Sequence, residues 1–126
     1  MPSEDSALQG LQSGELRIDS TIDPDCLRLV WHGRSADLDP RAVLVPYFKR
    51  AIDVARRLGT RVQMHFEGLE YFNSSTIAAL LEAIRLGSEH RVPLAMIYKE
   101  NVRWQRLNFG ALRMFTREHA FQLRGV

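Results

Sequence analysis

Asn73-Ser74-Ser75-Thr76 places four small polar side chains in a row, immediately before the apolar stretch Ile77-Ala78-Ala79-Leu80-Leu81. Asn and Ser are favoured helix caps, which accounts for one or two of the four. No Glu or Gln follows at the third helical position to complete a capping box. What capping leaves over is hydroxyl chemistry at a helix start. A phosphate on Ser74 would meet the positive end of the helix dipole and the free N–H groups of the first turn. It would bring about −1.5 to −2 units of charge to a surface able to meet a partner. Ser74 is therefore the candidate phosphorylation site.

Other chemistry finds little footing. The sequence has no G-x-G-x-x-G, no Walker A segment and no G-x-S-x-G elbow. His32, His65, His90 and His119 form no i, i+4 pair and show no metal-ligand spacing. Cys26 stands alone, so neither a disulfide nor a thiolate zinc set can form within the chain. Asn73-Ser74-Ser75 matches a glycosylation sequon, but residues 1–15 contain no apolar signal core. No convergent acid, base and nucleophile set is legible, so the expectation is a non-enzyme that needs no cofactor or metal.

Charge is distributed unevenly. The net formal charge is +2, yet residues 1–90 carry −3 and residues 91–126 carry +5. Arg103, Arg106, Arg113 and Arg117 share one side of a helical wheel, with Trp104, Leu107, Ala111, Met114 and Phe115 on another. Such a face suits carboxylates or phosphates on a partner. Aromatic–basic interleaving and a helix-turn-helix signal are both missing, which argues against nucleic acid. No apolar run approaches the ~18–20 residues of a membrane span, so no membrane insertion is expected and the expected location is cytoplasmic.

The elements that must carry Ser74 follow from periodicity and punctuation. Met1 to Ser13 is polar and aperiodic, and reads as a flexible tail. Glu15 to Ile22 alternates as a half-buried strand, Asp23-Pro24-Asp25 turns, and Cys26 to His32 forms a second strand, giving a hairpin. Asp39 and Pro40 begin a helix with Leu44, Phe48, Ala51, Ile52, Ala55 and Leu58 inward, and Gly59 stops it. Val62, Met64 and Phe66 mark a third strand, and Gly68 to Phe72 reads as a loop. Ser74 to His90 is a helix whose predicted core stripe is Ile77, Leu80, Leu81, Ile84 and Gly87. Ala79, Ala83 and Leu86 then fall on the far side, as a flat docking surface beside Ser74. A strand from Val92 to Tyr98, a helix from Val102 to Phe115 with Gly110 inside it, and a short strand over Ala120 to Leu123 complete the chain. The reading is one α/β domain with a mixed sheet of four to five strands packed by three to four helices.

The element order, with Leu69-Glu70-Tyr71-Phe72-Asn73-Ser74-Ser75-Thr76-Ile77-Ala78-Ala79-Leu80-Leu81, resembles the STAS domain of anti-sigma-factor antagonists and sulfate-transporter tails. That family carries Asp-Ser-Ser-Gly-Leu at this point. Asn73 stands at its Asp, Ser74 at its phosphorylated Ser, Ser75 at the second Ser, Thr76 at its Gly and Ile77 at its Leu. Leu107-Asn108-Phe109-Gly110-Ala111-Leu112 resembles the family's segment ending in Gly-Leu, with Ala111 at the Gly. A family loop of the type Gly-x-x-Asp reads here as Gly33-Arg34-Ser35-Ala36, with Asp37 one place late. The resemblance implies a STAS-like domain over residues 14–126 that catalyses nothing itself. It implies partner switching. A serine kinase of the anti-sigma type binds the unphosphorylated protein, releases it once Ser74 is phosphorylated, and a metal-dependent serine phosphatase restores binding. Asn73, Ser75, Thr76, Ala79, Ala83, Leu86, Arg34 and Asp37 are the expected partner-binding residues. The same resemblance also implies an alternative, a constitutive scaffold subunit of a transporter or signalling complex that is never phosphorylated.

Overall fold

A computed structural model describes residues 8–117 and 121–126, with the side chains of Thr116 and Arg117 outside the description. The chain forms strands β1 (Leu11–Ser13), β2 (Leu16–Ile22) and β3 (Cys26–Ser35), helix α1 (Pro40–Leu58), and strands β4 (Arg61–His65) and β5 (Leu69–Phe72). Helix α2 (Ser74–His90), strand β6 (Leu94–Tyr98), helix α3 (Arg103–Gly110), a 3-10 helix (Ala111–Arg117) and strand β7 (Phe121–Gly125) follow. The protein is an α/β fold on one mixed sheet, in the order β1-β2-β3-β4-β6-β7 with β5 paired to β3. The hairpin strands run antiparallel, and every pairing from β3 to β7 is parallel.

Each crossover from β3 onward steps in the same direction across the sheet. Right-handed connections then put the helices on one face. Leu27 and Leu29 of β3 lie in register with Val62 and Met64 of β4, and these with Leu94 and Met96 of β6; all, with Trp31, are buried beneath that layer. The opposite face carries Asp19, whose carboxylate meets Arg17 along β2 and His32 across on β3. Trp31, Phe66 and Phe109 form a chain of tilted rings with centroids 4.8 and 4.7 Å apart, tying β3 to α3. Such ring pairs add about 0.5–1.5 kcal/mol beyond their buried area.

The sheet has seven strands against the expected four to five. The two additions are β1 and β5, of three and four residues. Neither is long enough to show a period, and each exists only through its partner. Thus the expected flexible stretch over 1–13 is corrected in its second half: Leu11–Ser13 pair with β2, and Leu8 is buried. Segment 69–72 is a strand rather than a loop. The third helix ends at Gly110 and continues as a 3-10 turn, because glycine is the poorest helix former short of proline. That break displaces the tail of the predicted apolar face, leaving Met114 exposed, and Leu107 is exposed as well. Leu58 is also exposed rather than core. His119 and Ala120 lie outside the described residues. Among the described residues no helix is long and apolar enough to cross a membrane.

Candidate functional site: the start of helix α2

Strand β5 delivers Ser74. It extends the line of β4 along β3, pairing Arg34 with Tyr71 and Ser35 with Phe72. The Asn73 N–H continues the ladder by donating to the Ser35 carbonyl at 3.1 Å. Upstream, the fully buried Gln105 holds the β4–β5 connection. Its amide donates to the carbonyls of Phe66 at 2.7 Å and Leu69 at 3.0 Å, and its oxygen accepts the Lys99 N–H at 2.7 Å. Phe72 packs edge-on against Trp104 and Phe109.

Asn73 is the helix cap. Its Oδ1 accepts the Thr76 N–H at 2.9 Å and the Thr76 hydroxyl at 2.8 Å. Its Nδ2 donates to the Asp37 carbonyl at 3.0 Å, fastening the loop after β3 to the helix start. Thr76 points inward and is fully buried, its Oγ1 2.7 Å from Ser35 Oγ. The Thr76 hydroxyl has one proton, and the Asn73 oxygen can only accept it. Ser35 is therefore the donor to Thr76. Asp39, by contrast, makes no side-chain cap for α1, although it stands at the capping position.

Ser74 is exposed as the first residue of α2, and Ser75 is half-buried beside it. The first-turn N–H groups of a helix have no intrahelical acceptor, so this end favours an anion. Asp37 is exposed and takes a hydrogen bond from the Ser13 hydroxyl at 3.0 Å, which links the β1–β2 hairpin to the same loop. Arg34 is exposed, with its guanidinium 4.7 Å above the Tyr71 ring and 4.0 Å from Glu15. Leu38 and Tyr71 add exposed apolar surface on the elements that flank Asn73.

Four of the expected partner-binding residues are thus brought to one end of the sheet on the surface: Arg34, Asp37, Asn73 and Ser75. The other four are not surface residues. Thr76, Ala79 and Ala83 are fully buried and Leu86 nearly so. The predicted stripe runs through Ile77 and Leu81, yet the buried stripe is Thr76, Ala79, Leu80, Ala83, Ile84, Leu86 and Gly87. The physical reason is lateral packing. α2 lies beside α1 as well as on the sheet, so its covered arc is wider than one apolar stripe. Ile77 and Leu81 are only partly covered. Thr76 therefore adds no bulk to the surface at Ser74. On the outward side of α2 a hydrogen bond from Arg85 holds the Glu82 carboxyl below its ordinary range.

Ser35, Gln105, Leu38 and Tyr71 escaped the sequence reading. Nothing local marks the first two, whose contacts with the site come from partners more than thirty positions away. Tyr71 had a signal, an aromatic residue just before a cap. Arg106 and Arg113 of the basic helix bond to the Glu100 carbonyl and the Tyr98 hydroxyl, so they are in part structural. Among the described residues no three His, Cys, Asp or Glu side chains converge on a possible metal position. No protein-family model matches the chain, and a search of curated proteins finds no match.

Proposed function

We infer that this chain is a STAS-like interaction module of the anti-sigma-factor-antagonist type, switched by phosphorylation of Ser74. Unphosphorylated, it binds a serine kinase of the anti-sigma type through the surface formed by Ser74, Ser75, Asp37 and Arg34. A phosphate on Ser74 places about −1.5 to −2 charge and a bulky group on that surface, and binding is lost. A metal-dependent serine phosphatase reverses the change. The observation that carries this reading is the exposure of Ser74 at the first position of α2, between a side-chain-bonded cap and a fully inward Thr76. The exposed serine thus stands beside a hydrogen-bonded cap.

The test is the intact mass and phosphosite of the protein isolated from its native cells, joined to partner capture by wild type, Ser74→Ala and Ser74→Asp. A species heavier by one phosphate mapped to Ser74 is expected. Ser74→Ala should hold the partner permanently, and Ser74→Asp should weaken capture only partly, because a carboxylate has less charge and fewer acceptor oxygens than a phosphate. Equal capture by all three forms, with no phosphate under any growth condition, overturns the switch and favours a constitutive scaffold subunit.

A further inference from the structure

At the opposite end of the sheet from Ser74, the strand starts of β4 and β6 meet the last turns of α1 and α2. The two helices close alike. In α1, Gly59 takes left-handed angles (φ 67, ψ 33), its N–H donates to the Arg56 carbonyl, and Thr60 N–H donates to the Ala55 carbonyl at 2.9 Å. In α2, Arg91 takes the same angles (φ 58, ψ 38), and Val92 N–H donates to the Gly87 carbonyl at 2.9 Å. Glycine suits that position and a side chain is strained there. Arg91 is the one non-glycine residue with positive φ among the described residues. The chain uses glycine at the first closure and arginine at the second.

Arg91 lines an open cleft of about 650 Å³ together with Arg56 and Arg61, the first residue of β4. Arg56 lies 3.6 Å from Asp53, whereas Arg61 and Arg91 have no ion pair or side-chain hydrogen bond among the described residues. Asp25 also lines the cleft, leaving cationic side chains in excess. Arg56 and Arg57 in the last turn of α1, and His90 in that of α2, stand at the same end of the sheet. A strained residue held where a glycine would fit marks a site whose side chain is needed. Guanidinium forks bind phosphate oxygens bidentately. We propose that Arg61 and Arg91, assisted by Arg56, form a binding site for a compact, multiply charged oxyanion of the phosphate class. The site lies apart from Ser74 and does not depend on its role.

The test is thermal unfolding and calorimetric titration of the full chain with pyrophosphate at constant ionic strength. Citrate serves as the carboxylate counterpart. Pyrophosphate is expected to raise the unfolding midpoint of wild type, with citrate weaker. Arg91→Gly keeps the closure without strain, so its midpoint in the absence of anion should equal or exceed that of wild type. Its pyrophosphate affinity should fall about tenfold or more, as charge-assisted hydrogen bonds are lost. Arg61→Ala should weaken binding similarly. A stronger response to citrate reassigns the ligand to carboxylates and overturns the phosphate class. No pyrophosphate response in wild type, or an undiminished response in both variants, overturns the site.

Discussion

One carboxamide does the positioning at the start of α2. Asn73 accepts from Thr76 with its oxygen and donates to Asp37 with its nitrogen. A carboxylate at this position could accept but not donate, so the Asp37 loop would lose its tie. Beneath it, Ser35 and Thr76 satisfy each other in a dry environment. Removing the Thr76 hydroxyl strands the buried Ser35 proton, whereas removing the Ser35 hydroxyl leaves Thr76 its bond to Asn73. Thr76→Val is expected to lower unfolding free energy by about 1–3 kcal/mol, and Ser35→Ala by about 0.5–1.5 kcal/mol. The double variant should fall short of the sum by about 1 kcal/mol or more, as coupled neighbours do. Urea titration of the four proteins measures this directly, and strict additivity would contradict the hydrogen-bonded pair.

Among the elements, α1 carries a titration signal. Burial pushes the Tyr47 phenol up to about 12, against the lowering pull of Arg50. Its hydroxyl donates to the Gln9 carbonyl at 2.9 Å, pinning the segment before β1. The unfolded chain ionises this group near pH 10 while the fold keeps it protonated. Its stabilising contribution is therefore complete below pH 10 and is lost as pH rises from 10 through 12. The loss is roughly 2–3 kcal/mol. Tyr47→Phe should be less stable at pH 8, for want of the hydrogen bond, yet show a flatter decline above pH 10. Denaturant titrations across that range, taken as the difference between the two proteins, isolate Tyr47 from other alkaline groups. The helices also explain why the docking face was misplaced. A wheel built from residue types alone finds the most apolar side of α2, but the neighbour α1 decides how wide the covered arc is.

For the molecule as a whole, the two ends of the sheet divide the charge. The Ser74 end presents a hydroxyl, a carboxylate and a guanidinium stacked on a ring, while the far end gathers arginines. A single phosphate would bring the net charge from +2 to near zero. Phosphorylation at the first helical position faces the positive end of the dipole, so it is expected to leave the fold as stable as before or up to about 1 kcal/mol more stable. Chemical denaturation of phosphorylated and unmodified protein, separated by ion exchange, checks this. A phosphoprotein several kcal/mol weaker would mean that the switch acts by unfolding rather than by covering a surface.

Residue order alone specifies the α/β class, the hairpin followed by parallel strands, the limits of α1 and α2, and Ser74 at a helix start. These rest on local causes: the two-residue and 3.6-residue periods, Pro40 and Gly59 as punctuation, and the capping chemistry of Asn73. Tertiary structure decided the rest. β1 and β5 are strands because β2 and β3 lie beside them. Thr76, Ala79, Ala83 and Leu86 are core because α1 and Ser35 lie across from them. Gln105 shapes the site because the chain folds it beneath β5. Apart from the β1–β2 pairing, which is a local hairpin, these contacts join residues far apart in the chain, and hydrophobic burial and hydrogen-bond satisfaction are properties of surroundings that no local window contains.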